Sequence, residues 1–223
     1  MREGKITNCK YWLIAPLCLL SCLAGYGQFE GKITYDVSYS SEDPTLSSLA
    51  EHFPKVSELY INGRNARFQQ TVSGGGQQIY ISNEVNDRSI LVMRFLGECF
   101  KVVFTKQNLE QLEENISFEV QHSAATKEIL GITCKKAVSV VGQDTLVLYY
   151  SPDHFEGNML PQFKDVKGLV LEYETIQDGL HTRFKAKDLT SEEVAMDWFD
   201  VSDEIREISF EVFAKNFAYK KGS

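Results

Sequence analysis

The sequence predicts a mainly β protein: a single highly curved antiparallel sheet, a half-open barrel, with one or two helices packed across it, including a C-terminal helix. Three observations carry this. Residues 168–176 and 180–187 alternate apolar and polar on either side of Asp178-Gly179, and period-two runs flanking Asp-Gly are the strongest short-range hairpin signal. Comparable alternating runs follow one another from residue 31 onward. Only the tail changes period: Ile205, Ile208, Val212, Phe213 and Phe217 recur at helical spacing with charge between them.

The totals agree. The chain has 223 residues, 43% of them hydrophobic and 24% charged, enough for one domain with a true core. Fourteen Phe and ten Tyr suit strands and a wide apolar interior. The formal net charge of −8 argues against nucleic acid as a partner, because such surfaces carry a basic footprint.

Residues 1–27 read as a signal peptide, leaving 28–223 as one curved-sheet domain. Arg2, Lys5 and Lys10 precede an apolar run at 11–20, and small residues follow through Gly27. As a membrane span the run is short and holds Pro16. Two leader endings compete. Cleavage after Gly25-Tyr26-Gly27 releases a soluble protein and is preferred; Leu19-Leu20-Ser21-Cys22 instead resembles a lipobox, with lipid anchoring at Cys22. Either way the expected location is the periplasm or the secreted side of the cell envelope. The mature chain then keeps Cys99 and Cys134. A disulfide between them and a pair of buried free thiols stand equally open.

Along the mature chain, residues 31–39 alternate with Ile33, Tyr35, Val37 and Tyr39 on one side. Residues 40–55 form a short helix or a loop over one end of the sheet, the helix being preferred. Runs at 56–61 and 65–72 flank Asn62-Gly63 as a hairpin, and runs at 77–82, 89–95 and 99–105 extend the meander. Gly74-Gly75-Gly76 lacks the Lys-Ser/Thr pair of a phosphate loop and reads as a turn. Residues 106–115 are polar and acidic and read as a solvated connection, with a short strand at 116–120. Runs at 132–141 and 145–150 make another hairpin. Thr190-Ser191-Glu192-Glu193 fits a helix capping box.

No catalytic constellation emerges. His52, His122, His154 and His181 form no close metal pair, and no Gly-x-Ser-x-Gly elbow occurs. Glu172 and Glu174 share one side of their strand, which suits a polar sheet face better than a carboxylate pair. No metal, no cofactor and no enzymatic activity are expected.

Four segments carry a resemblance: Gly31-Lys32-Ile33-Thr34-Tyr35, Gly131-Ile132-Thr133-Cys134-Lys135-Lys136-Ala137, Tyr149-Tyr150-Ser151-Pro152 and Lys167-Gly168-Leu169-Val170-Leu171-Glu172-Tyr173. They resemble the secreted DUF4412 and GLPGLI-type proteins of Bacteroidetes. The resemblance implies a lipoprotein-carrier-like (LolA/LolB-like) fold, in which a curved sheet wraps around helices and can hold lipid. It brings no catalytic residues.

The function expected is therefore a non-enzymatic periplasmic or cell-envelope protein that binds a lipid or other apolar ligand in a sheet cavity, with 40–55 or the terminal helix as lid. Tyr35, Val37, Phe68, Phe100, Phe104, Leu169 and Leu171 are the expected lining, since apolar lining provides about 25 cal/mol per Å². An apolar small molecule or lipid and an outer-membrane or lipoprotein component are the expected partners. The alternative is a structural or protein-interaction module of the envelope with a filled core. Periodicity alone does not choose between a cavity and a filled core.

Overall fold

The computed structural model describes residues 29–71, 75–83, 88–95, 97–116, 119–156, 160, 163 and 165–216. The leader, with Cys22, lies outside them, as do Gly74, Pro161 and Phe217.

All strands join one 12-stranded sheet. They are β1 (Gly31–Ser40), β2 (Val56–Asn62), β3 (Asn65–Thr71), β4 (Gln77–Asn83), β5 (Arg88–Phe95), β6 (Glu98–Phe104), β7 (Val120–Ile129), β8 (Ile132–Val141), β9 (Asp144–Ser151), β10 (Leu169–Gln177), β11 (Leu180–Ser191) and β12 (Arg206–Glu207). The spatial order is β12-β6-β5-β4-β3-β2-β1-β11-β10-β9-β8-β7. Two meanders, β1–β6 and β7–β11, are thus zipped together by the long antiparallel ladder of β1 on β11. The end strands β12 and β7 do not pair with each other among the described residues, so the sheet is open. It is mixed rather than purely antiparallel, because β12 pairs parallel to β6.

Turn chemistry sets the registers. Asp178 and Gly179 take φ of 49° and 77°, the left-handed pair that lets a two-residue turn follow the strand twist. The β2–β3 turn is shifted by one residue from the expected Asn-Gly: Asn62 pairs with Asn65, so Gly63 and Arg64 are its centre. Asn62 is used elsewhere, its Nδ2 donating to the Val194 carbonyl at 2.7 Å.

Helix α1 (Pro44–Ala50) crosses beside β1, with the Asp43 carboxylate accepting from Thr45 N–H at 2.7 Å and Pro44 in the first turn. Residues 106–115 are a helix, not a solvated connection. Thr105 and Asn108 cap α2 (Lys106–Ile116) reciprocally: Thr105 N–H donates to Asn108 Oδ1 at 3.0 Å, and Asn108 N–H to Thr105 Oγ1 at 3.2 Å. Leu109 then packs against the Leu91–Val102–Phe104 cluster. The strand expected at 116–120 begins at Val120 and continues to Ile129.

The tail departs further from expectation. Thr190 and Ser191 start no helix; they end β11, where Thr190 pairs with Lys32 and Ser191 with Gly31. Tertiary pairing overrides the local capping pattern. The chain then crosses one face of the sheet as a strap. Val194, Phe199, Val201 and Ile205 cover Tyr60, Ile79, Ile81, Ile90 and Val92 there. It rounds the sheet edge through β12 and returns on the opposite face as the C-terminal helix α3 (Phe210–Asn216). Phe213 of that helix meets Phe104 edge-on at 5.5 Å. Arg206 and Glu207 are extended instead of helical because β12 adds to the β6 edge. Burial from both sides explains why Ile90, Leu91 and Val92 are all buried in β5.

Candidate functional site

Ladder pairing places Tyr35, Val37, Phe68, Phe100 and Phe104 on one face of the sheet. That face is occupied by the chain itself. Phe155, Phe163 and Val166 lie over it as a plug, in one buried cluster with Tyr35, Val37, Leu169 and Leu171. Phe68 packs at the border of this cluster, edge-on to Phe184 at 6.0 Å. Phe104 belongs to a separate cluster under α3, and Phe100 is buried near it. The seven residues expected to line a cavity therefore touch protein and divide between two regions.

Backbone bonds hold this plug in place. Phe163 N–H donates to the Leu160 carbonyl at 2.8 Å, Val166 N–H to the Phe163 carbonyl at 3.0 Å, and Phe29 N–H to the His154 carbonyl at 2.9 Å. The Ser151 hydroxyl meets His154 Nδ1 at 2.7 Å, so His154 braces a loop. The Tyr35 hydroxyl, fully enclosed, donates to the Val170 carbonyl at 2.7 Å. Burial pushes its ionisation far up, and it stays neutral.

Beside the plug a surface cleft of about 550 Å³ opens between β7, β9 and the turn at 165–167. His122, Ser123, Ala124 and Thr126 line it from β7, Lys135 from β8, Tyr150 and Pro152 from β9 and its end, and Asp165 and Lys167 from the plug. The local reason is a break in the ladder. The pairing of β7 with β8 shifts register between His122 and Thr126, and Ser123 Oγ accepts from Ala125 N–H at 3.1 Å inside the break. Irregularities of this kind re-aim side chains at sheet edges, and β7 is an edge strand. The Tyr150 hydroxyl and His122 Nδ1 meet at 2.9 Å. Burial raises the Tyr150 phenol above its ordinary range. The arrangement can bind and orient a polar group.

The segments 131–137, 149–152 and 167–173 meet at this cleft. Lys135, Tyr150 with Pro152, and Lys167 come from segments far apart in sequence. No spacing rule could have shown that convergence, and β7 itself is hidden in the sequence because Ser123-Ala124-Ala125 erases its alternation.

On the other face, Glu172 is buried and clamped. Lys127 Nζ lies 2.6 Å from its Oε2, and Arg183 bonds its Oε1. Burial alone would push the carboxyl up, but these two hydrogen bonds and charges outweigh it and hold the group below the usual carboxylate range. Glu174 lies on the same side, 3.9 Å from the Arg183 guanidinium. A glutamate so paired is a fixed anion, not a proton donor, so the two carboxylates form no acid–base pair.

Cys99 and Cys134 are free thiols. They sit on β6 and β8, with β5, β4, β3, β2, β1, β11, β10 and β9 between them, so the disulfide alternative is corrected to separate thiols. Burial raises the Cys134 thiol to about 11. No group of His, Cys, Asp and Glu arranged for a metal occurs among the described residues.

No family model matches the sequence, and no curated protein matches it. Among solved structures, the chain is similar to PNGF-II in two crystal forms. The P21 form gives a TM-score of 0.52 at 17% identity over 83% of this chain and 33% of PNGF-II; the C2 form gives 0.49 at 16% over 82% and 32%. LprF from Mycobacterium bovis gives 0.29 at 8% identity over 76% of this chain and 91% of its own. The chain spans about a third of the PNGF-II length. At these identities the likeness to PNGF-II is one of fold alone.

Proposed function

We propose that this chain is a non-enzymatic ligand-binding module of the cell envelope whose interior is filled and whose ligand is taken at the His122–Tyr150 surface cleft. One observation supports this above others: Lys135, Tyr150, Pro152 and Lys167, from three separate segments of the family resemblance, line the same opening. The module spans 28–223, follows a leader, and bends its sheet around the plug of Phe155, Phe163 and Val166. A lipid seated deep in the sheet would have to displace Phe155, Phe163 and Val166, all buried. Fully burying one such side chain contributes about 1.5–3 kcal/mol, so the plug competes strongly with a guest. The filled interior favours the interaction-module reading over the carrier reading for this part of the molecule.

The test is native mass spectrometry and solvent extraction of protein purified from the envelope fraction. The expected result is the bare polypeptide mass and no stoichiometric hydrocarbon. Recovery of one lipid per chain would return the ligand to the interior.

A further inference from the structure

We propose that the cleft is an oxyanion site, taking a phosphate or carboxylate carried on a small organic body. This rests on the surface-cleft reading above and names its ligand class. Lys135 and Lys167 reach the opening from β8 and from the plug, and neither makes an ion pair among the described residues. Lys32, Lys127 and Lys187 of the sheet pair with Glu58, Glu172 and Asp36, whereas Lys136 and Lys185, like Lys135, have no ion pair among the described residues. Two lysines without an ion pair thus line one cleft, against the single carboxylate of Asp165. The cleft carries a positive excess on a chain whose net charge is −8.

The remaining lining suits the same ligand. The Tyr150 hydroxyl and His122 Nδ1 meet at 2.9 Å; in the tautomer whose Nδ1 accepts from the phenol, Nε2–H is a further donor. Thr126 adds a hydroxyl, and Ala124, Pro152 and the Tyr150 ring offer apolar surface for the carbon next to the anion. Asp165 disfavours a ligand that is anionic throughout and favours one whose charge is confined to one end. Ammonium–oxyanion hydrogen bonds are the strong kind, but these lysines are exposed. Screening therefore keeps each contact near the upper end for an exposed pair, and affinity falls with salt.

The experiment is an amide NMR titration of the mature chain with sodium phosphate, sodium acetate, glucose, and vesicles of phosphatidylcholine with or without phosphatidylglycerol. Phosphate or acetate is expected to shift the amides of Thr126, Lys135 and Lys167. Lys135→Gln and Lys167→Gln should each weaken that binding about fivefold, with thermal unfolding unchanged because both side chains are exposed. Binding only to phosphatidylglycerol vesicles would assign the oxyanion to a lipid headgroup, while equal response to free phosphate would assign it to a soluble ligand. Shifts with glucose but with neither anion would overturn the oxyanion assignment and leave the cleft as a binding site. Absence of any anion-dependent shift at these amides would also overturn it. The surface-cleft reading itself falls only to stoichiometric lipid in the interior, so the two failures are distinguishable.

Discussion

At Gly168 the backbone runs at φ 136°, and a Cβ built there would lie 2.5 Å from the Ser151 carbonyl oxygen and 2.8 Å from the Pro152 Cα. Both contacts are backbone, so nothing can swing aside. Glycine is thus needed at 168, where the plug re-enters the sheet. Gly168→Ala is expected to cost about 3 kcal/mol through strain and clash, read as a lowered urea midpoint at unchanged slope. Leu130 is the reverse case. It holds φ 52° in an exposed turn beside Gly131 at 79°, where Asn is the preferred residue. Leu130→Asn should stabilise by about 1 kcal/mol, and a fall in midpoint would contradict the turn geometry. Glu172 links residue chemistry to pH. Its folded carboxyl titrates below its unfolded value, so its contribution is complete above the unfolded range, about pH 4.3, and is lost as pH falls through the folded value. Glu172→Gln should cost about 2 kcal/mol at pH 7, and the gap to the parent should narrow as the pH is lowered into the acid range; a gap unchanged in acid would mean the clamp is not ionic.

The elements were legible where local chemistry and tertiary pairing agree. The β10–β11 hairpin is plain from Asp178-Gly179 because both residues take the positive φ that pair favours. Helix α2 was hidden because its polar and acidic residues outnumber Leu109, Leu112 and Ile116, and because its cap uses Asn108 where Glu or Gln is the usual signal. Strand β12 has two residues and no pattern to find. Thr190–Glu193 misleads because a ladder on β1 outbids a cap. The strap after β11 is an element with a testable load: Phe199 is buried against the β2–β5 face. Phe199→Ala is expected to cost about 3–4 kcal/mol, and, since Trp198 stacks on Tyr60 at 4.7 Å, to change the tryptophan emission of the folded state. An unchanged spectrum and midpoint would show that the strap does not hold the sheet.

At the scale of the whole molecule, the alternation of the strands specified one sheet and the composition of its apolar face. It could not specify what occupies that face, because a side chain pointing at a guest and one pointing at a plug obey the same period of two. Only the tertiary placement of Phe155, Phe163 and Val166 and of α3 decides it, and both follow from contacts distant in sequence: Phe163 with the β1 and β10 residues, Phe213 with Phe104. The cleft was illegible for the same reason, since Lys135, Tyr150 and Lys167 meet only after the meander has folded. The central claim is that the plug is part of the core and not a lid. Native-state hydrogen exchange at the Val166 amide, which donates to the Phe163 carbonyl at 3.0 Å, tests it most directly. The account predicts that Val166 exchanges only through the global opening that also exposes Leu171 of β10. Exchange through a separate, low-energy opening, accelerated by phospholipid vesicles, would contradict it.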